Sequence, residues 1–388
     1  MLTQKEVMEY VEEENVKFIR LAFFDVKGHQ KNISIQPSEL LRAFSTGISF
    51  DASAIEGFND EAHSDLFLVP EPRTLSILPW RSFDGSVVRM YCDIYNPDGT
   101  LYKNDTRYLL KQALEQAKKA QIEIRCGNEY EFYLFQLDEK GKATKTPLDQ
   151  AGYMDIAPFD QGEDVRRQIC HYMMEMGMEP EASHHEQGPG QNEIDFRYNN
   201  PLLAAEDGAT LRWVIKTVAQ ANGLVANFMP KPLKEEAGNG FHINMSTNSH
   251  MDEFMAGILN HIKEITLFLN PTENSYDRLG EDKAPKYVSW GYNNRSTLIR
   301  IPAGNKRLEL RSPDCLANTF LAYTLLIYAG LDGIEKHMTC MEPTSLNLFK
   351  ETGEFDVLPQ SLKEAKKLAK NSDFVKKYVP ENILKAYL

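Results

Sequence analysis

Between His184 and Phe196 the chain reads His-His-Glu-Gln-Gly-Pro-Gly-Gln-Asn-Glu-Ile-Asp-Phe. Gly188 and Gly190 tolerate backbone angles that other residues resist, and Pro189 fixes its own, so a tight turn is expected between two polar arms. Beyond the turn Gln191, Glu193 and Asp195 alternate with Asn192, Ile194 and Phe196, the period of a strand with one polar face. Glu186 and Glu193 can then meet from either side of the turn. Carboxylates that meet unpaired repel one another until a cation relieves them; the bland alternative is an exposed hairpin of solvated acids.

Three more segments carry the same kind of pattern. In Gly127 to Phe132, Glu129 and Glu131 stand at i and i+2, about 6–7 Å apart on one side of a sheet. Phe241 to Ser246 offers His242, Asn244 and Ser246 on one face, and Arg307 to Arg311 sets Glu309 between two arginines. Each alone has a structural reading as a solvated face or a surface ion-pair ladder of little worth. Together, five glutamates and one histidine make two three-ligand sites. Oxygen donors with a single imidazole suit Mg²⁺ or Mn²⁺ rather than zinc. Arginines beside such ions suit a phosphoryl group in transfer. There is no Gly-x-x-x-x-Gly-Lys-Ser/Thr loop, so a nucleotide would not be held in the P-loop manner.

The elements that must position these residues are legible in the hydrophobic pattern. Residues 4–14 read as a short amphipathic helix. Strands are expected over 16–24 and 32–35, joined by a turn at Val26 to His29. A helix is expected around 38–44 with Pro37 at its start. Phe50 to Phe58 reads as a loop carrying Asp51, Pro70 to Pro79 as extended chain, and 86–94 as a strand. A boundary falls near Pro97-Asp98-Gly99. Asp105 is a candidate cap for a helix to Ala120 that buries Leu109, Leu110, Ala113, Leu114 and Ala117. Further strands are expected at 122–135, 191–197, 224–229, 241–246, 298–301 and 307–311. Further helices are expected at 162–176, 204–222, 251–268 and 318–336.

Composition narrows the function classes. The 388 residues are 42% hydrophobic and 26% charged, ordinary for a globular protein of one or two domains. A net charge of −13 argues against a nucleic-acid surface. Five cysteines without a Cys-x-x-Cys pair suggest a reducing, cytoplasmic setting. The N-terminus has no signal-peptide pattern, and the most apolar stretch, 320–331, is too short to span a bilayer.

The order of motifs resembles the glutamine synthetase family over nearly the whole chain. They are Asp51 to Ile55, Gly127 to Glu131, His184 to Ile194, Phe228 to Pro232, Asn274 to Arg278, Asn294 to Ser296 with Ile299 to Pro302, and Lys306 to Asp314. The resemblance implies an α+β fold: a small N-terminal β-grasp domain, 1–104, and a large catalytic domain, 105–388. In the latter a curved, funnel-forming antiparallel sheet is flanked by helices. It implies ATP and two or three Mg²⁺ or Mn²⁺ ions, with glutamate and ammonia or another amine as substrates. It also implies homo-oligomeric rings with sites shared between subunits, and neither nucleic-acid nor membrane partners. Glu131, Glu186 and Glu193 match ligands of one ion; Glu129, His242 and Glu309 match those of the nucleotide-side ion. Arg295, Arg300, Arg307 and Arg311 match arginines around phosphates and the acceptor carboxylate, and Arg278 matches the one that holds the amino acid. Gly238 is expected at the substrate, Ser246 at the nucleotide, and Asp51 at the neighbouring subunit's site. The implied reaction is phosphorylation of the glutamate side chain followed by displacement of phosphate by the amine.

Several positions depart from the family pattern. Lys283 stands where a loop glutamate usually precedes Ala-Pro, with Glu281 or Asp282 as possible substitutes. Ala237, Asn244 and Cys315 replace the usual Asn, His and Pro, and Ala52 and Ala54 replace Gly and Ser. Phe349 occupies the place of a tyrosine that is adenylylated in some members, so that control is expected to be absent. The end at Leu388 leads to the expectation of a single or loosened double ring. Two alternatives follow: a γ-glutamyl ligase for an organic amine or another carboxylate, and a non-catalytic structural or regulatory relative.

Overall fold

The computed structural model describes residues 2–80, 85–304 and 307–388. Lys306, which opens the last motif above, lies outside them. Helix α1 (Gln4–Glu13) begins with a capping box between Thr3 and Glu6. Strands β1 (Phe18–Phe24) and β2 (Gln30–Ile35) pair antiparallel about the expected turn. Gly28 in that turn has φ +80°, and an added Cβ would lie 2.9 Å from Asn318 Cα, so the position needs glycine on both counts. After α2 (Leu40–Ser45) come β3 (Ile48–Asp51), β4 (Asp65–Pro70), β5 (Ser76–Ile77) and β6 (Val87–Tyr95). They complete a sheet in the order β2-β1-β6-β4-β3, with β5 on β6 and β1 running parallel to β6.

Two expectations here need correction. Phe50 and Asp51 end a strand, because Phe50 pairs with Leu66 and packs on Phe23, before the chain turns at Ala52. The proline-rich segment is not extended throughout. Pro72 starts a 3₁₀ turn to Thr74, for which its fixed φ is already suited.

The second half opens with α3 (Thr106–Lys119), capped by Asp105, whose carboxylate accepts from the Arg107 amide. Of its expected face, Leu109, Leu110, Ala113 and Ala117 are buried and Leu114 is half-buried. The remaining strands are β7 (Ile124–Leu137), β8 (Ala143–Pro147), β9 (Pro180–His185), β10 (Gln191–Phe196), β11 (Leu224–Asn227), β12 (Phe241–Thr247), β13 (Trp290–Tyr292), β14 (Ile299–Ile301) and β15 (Leu308–Leu310). They form one sheet in the order β13-β14-β15-β12-β7-β10-β9, with β8 and β11 also on β7. All these pairings are antiparallel except β13 with β14. The interleaved helices are α4 (Glu163–Glu175), α5 (Pro201–Ala221), α6 (Met251–Leu269), α7 (Glu273–Arg278), α8 (Thr319–Glu335), α9 (Leu362–Asn371), α10 (Asp373–Tyr378) and α11 (Glu381–Tyr387). The core behind the sheet is built by α5, α6 and α8, which are apolar on most faces.

A buried ion-pair cluster ties the first sheet to helices α3 and α5 of the second half. Arg107 on α3, 1% exposed, donates to Asp93 of β6 (2.6 Å), to Glu206 of α5 (2.8 Å) and to Glu71. Arg73 makes two 2.9 Å bonds to Glu206, and Lys111 bridges Asp93 (2.7 Å) and Glu71 (3.0 Å). Burial alone would raise the Glu71 carboxyl, but Arg107, Lys111 and Arg73 hold it down at about 2.

Candidate active site

Strand β7 carries Glu129 and Glu131 on one face, while Tyr130 and Phe132 are buried on the other. Its neighbours complete the cluster by register. On β12, His242 stands opposite Glu129, and its Nδ1 is 3.0 Å from Glu129 Oε2. Asn244 donates to the other Glu129 oxygen at 2.8 Å. On β10, Glu193 stands opposite Glu131 and Asp195 opposite Glu129. Glu186 arrives from beyond β9, and Glu309 from β15 lies 4.0 Å from His242. Candidate ligand atoms of Glu129, His242 and Glu309 lie within 4.8 Å of one another, and so do those of Glu131, Glu186 and Glu193. Five of these six residues line one cavity of about 380 Å³, with Glu309 buried behind its wall.

The crowding of acids is visible in their proton affinities. Burial first, then Asp195, Glu131, Glu129 and Glu186, raises the Glu193 carboxyl well above the usual range. Burial and Glu131 raise Glu186, and burial and Glu129 raise Asp195 to about 7. Glu129 goes the other way: against the burial penalty, His242, Asn244 and Arg307 hold it at about 2.

The turn that brings Glu186 and Glu193 together is pinned from behind. At Gly188 a Cβ would fall 1.9 Å from the Tyr133 hydroxyl, and Gly190 has φ +67°. The Asp149 carboxylate accepts from the Gly190 amide (2.8 Å), the Gln161 amide (3.0 Å) and His185 Nε2 (2.9 Å). His185 is fully buried, and its Nδ1 donates to the Glu186 carbonyl at 2.7 Å. Asp149→Ala leaves these donors unpaired, and the expected loss is about 2–4 kcal/mol of stability. Denaturant unfolding at pH 7 checks it; a loss under about 0.5 kcal/mol would mean that Asp149 is not the hub.

Arginines wall the cavity opposite the acids. Arg300 pairs with Glu309, and Arg311 Nε is an ion-pair partner of Glu309 at 3.4 Å. Arg311 also donates to the Arg295 carbonyl (3.0 Å), and Arg278 to the Ser312 carbonyl (2.8 Å). Arg307 lies 5.6 Å from the centre of the Tyr198 ring, and Arg295 is exposed at the cavity. Among the described residues, Glu309 Oε1 and Asp195 Oδ1 are buried without a hydrogen bond, as are the Nε atoms of Arg300, Arg307 and Arg311. Carboxylate oxygens and guanidinium nitrogens without hydrogen bonds, of which Arg311 Nε and Glu309 Oε1 meet only as an ion pair, fit cations and an anion brought in together.

Of the expected site residues, Gly238 lines the cavity, and a Cβ there would meet the Pro230 carbonyl at 2.6 Å. Ser246 shares a face with His242 and Asn244 but is not among the lining residues. Asp51 ends β3, where its carboxylate accepts from the Ser53 amide (2.9 Å) and hydroxyl (2.6 Å). In the loop after Arg278, Asp282 is bound to Lys231, and Lys283 Nζ lies 5.7 Å from the centre of the Tyr153 ring. Glu281 also lines the cavity. Sequence reasoning missed Tyr153, which meets His184 edge-on at 5.5 Å. No local pattern marks it. Asp195 carried a signal in its alternation with Glu193 but was not assigned a role.

Comparison with known proteins gives a consistent result. The family model described as glutamine synthetase, catalytic domain, matches residues 103–388, and that described as glutamine synthetase, beta-grasp domain, matches 15–97. The glutamine synthetase of Methanosarcina mazei is 43% identical over 413 aligned residues, spanning 100% of this chain and 92% of the relative. That of Clostridium saccharobutylicum is 40% identical, spanning 100% and 93%. Among solved structures, the GmaS/ADP complex in conformation 1 superimposes with a TM-score of 0.90 at 28% identity, over 98% of this chain and 93% of that one.

Proposed function

Since this chain belongs to the glutamine synthetase family and is a carbon–nitrogen ligase, we propose that it joins ammonia to the side-chain carboxylate of glutamate at the expense of ATP, through a γ-glutamyl phosphate. The observation that carries this reading is the pair of three-ligand clusters built around β7, faced by arginines whose Nε atoms lack a hydrogen bond among the described residues. Glu131, Glu186 and Glu193 would hold one Mg²⁺ or Mn²⁺, and Glu129, His242 and Glu309 another. Such ions, when bound, neutralise the charge of the phosphates in transfer. Arg300 and Arg307 bind nucleotide phosphates, with Ser246 farther along the same face. Arg295 and Arg311 hold the transferred phosphoryl group against the acceptor carboxylate. Arg278 and the Gly238 backbone orient the amino acid. That the superimposing GmaS structure was solved with ADP supports a nucleotide in this fold.

The order of steps follows from reactivity. A free carboxylate resists attack by an amine, whereas the acyl phosphate carries phosphate as a leaving group. The ammonium must first lose a proton. Asp282 is committed to Lys231, so Glu281 is the loop acid that takes it, while the Lys283 charge is drawn off over Tyr153. Asp51 of an adjacent copy helps to bind the ammonium. Tyr153, Met154, Ile156 and Phe159, all at least half exposed on one segment beside the cavity, support assembly of copies into a ring. Five free cysteines support a cytoplasmic setting, and no described helix is long and apolar enough to cross a membrane.

Lys283 at the cavity, where a cation would repel ammonium, favours a second reading, a ligase for an organic amine. Phosphate release with ATP, glutamate and Mg²⁺ or Mn²⁺, with and without ammonium, separates the two. We expect release to rise about tenfold or more with ammonium. Release indifferent to ammonium, but stimulated by an organic amine, would overturn ammonia as the substrate.

A further inference from the structure

A second cavity, of about 620 Å³, lies between the β1–β2 turn, α5 and the chain end at Tyr387. Its lining includes Arg20, Lys27, His29, Arg212 and Lys216, and no Asp or Glu among the described residues. That is unusual in a chain of net charge −13. His29 is paired with Asp25 behind it (3.1 Å). The hydrogen-bond partners of Lys27 and Arg212 are neutral: Lys27 donates to the Ala386 carbonyl, and Arg212 to the carbonyls of Cys315 (2.9 Å) and Gly28 (3.4 Å). Aromatic faces supply the rest of the setting. Lys27 Nζ is 3.8 Å from the centre of the Tyr387 ring, Lys216 Nζ is 5.7 Å from that of Phe228, and Trp213 is also part of the wall. Burial pushes the Lys27 and Lys216 ammonium groups down, offset in part at Lys27 by Glu56 and Asp25, which do not line the cavity, and Arg212 adds like-charge repulsion at Lys216. The size is that of a small-molecule site, flat apolar walls meet convergent cations, and an anion would relieve the repulsion.

The cavity shares a wall with the candidate active site. Cys315 lines it, and the Cys315 thiol reaches the carbonyls of Glu131 (3.2 Å) and Gly240 (3.1 Å). We propose that this second cavity is an effector site for a small multivalent anion on a flat body, phosphate- or carboxylate-bearing, whose binding lowers ligase activity. The anion competes for Arg212, which otherwise holds the Cys315 carbonyl, and so loosens the segment that backs Glu131. The effect on activity rests on the function proposed above; binding does not.

The test is calorimetric titration with phenyl phosphate and, separately, with phthalate. It uses the wild type, Lys27→Ala/Lys216→Ala, and Arg311→Ala, which weakens anion binding at the active site. One probe should bind once per chain in the wild type and in Arg311→Ala, and at least about tenfold more weakly in the lysine variant. Which probe binds identifies the chemistry. The lysine variant should keep its phosphate release and lose inhibition by the probe. Binding by neither probe at millimolar concentration, equal binding in the lysine variant, or loss of all binding in Arg311→Ala would each overturn the site. Because binding is read without turnover, a chain inactive with glutamate and ammonium would refute the function while leaving the site standing.

Discussion

Glu131→Ala lowers ATP-dependent phosphate release by about a thousandfold or more, and Glu129→Ala does the same. Each removes one ligand from one of the two clusters, where an absent ion forfeits several kcal/mol of charge stabilisation. The two variants differ in stability, which separates function from fold. Glu131 raises the proton affinity of both Glu186 and Glu193. Groups with a raised folded pKa contribute stability at low pH that is lost as pH rises through that pKa. Removing Glu131 relieves this loss, so metal-free Glu131→Ala should unfold no earlier than the wild type at pH 8. Glu129 is depressed to about 2, so its stability is present above the ordinary carboxylate range and lost as pH falls. Glu129→Ala forfeits that contribution and unpairs His242 and Asn244, which outweighs the relief it gives Asp195 and Glu193, so it should unfold earlier at neutral pH. Thermal unfolding beside a phosphate-release assay checks both; undiminished release in both variants would remove the metal assignment.

Arg107→Ala should be the most destabilising single change away from the cavity, by about 3–5 kcal/mol. It removes the buried cation that Glu71, Asp93 and Glu206 share, leaving them to Arg73 and Lys111, around a hole where the first sheet meets α3 and α5. Glu71 gives the effect a pH signature. Held at about 2, it stabilises the wild type above its unfolded pKa, and that contribution is lost progressively as pH falls toward 2. The wild type should weaken steeply below about pH 4.5, the ordinary glutamate range, and the variant much less so. Chemical unfolding between pH 3 and 8 measures this; parallel curves for the two proteins would show that Arg107 does not govern Glu71.

The parts of the site that lie close in sequence were readable there. Glu129 and Glu131 announce themselves at i and i+2, and Glu186 and Glu193 by the glycine-flanked turn. Helix α3 was legible from Asp105 and its apolar spacing, since cap and period agree. What escaped depends on partners far apart in the chain. Asp149 and His185 are 36 residues apart, and nothing local marks them as one unit. Arg107 falls on a helix where an arginine ordinarily faces water, yet three distant carboxylates bury it. Strands β8 (Ala-Thr-Lys-Thr-Pro) and β9 (Pro-Glu-Ala-Ser-His-His) carry almost no apolar side chains from which a period could be read, and in β13 a glycine interrupts the only two. Helix α7 is six residues, and helices α9 to α11 were given no bounds from the sequence.

The pairing of β7 with its two neighbours has one more consequence. Glu193 faces Glu131 on one side, and His242 faces Glu129 on the other. The cluster is therefore spelled across three lines of text that must stay aligned, as a message must stay in its reading frame. Substitutions alter single letters and leave the rest legible. A shift of β10 by one residue replaces Glu193 with Ile194 and turns the polar face over in a single step. The buried reverse of β10, with Ile194 and Phe196 packed under the sheet beside Tyr130 and Phe132 of β7, opposes that slip.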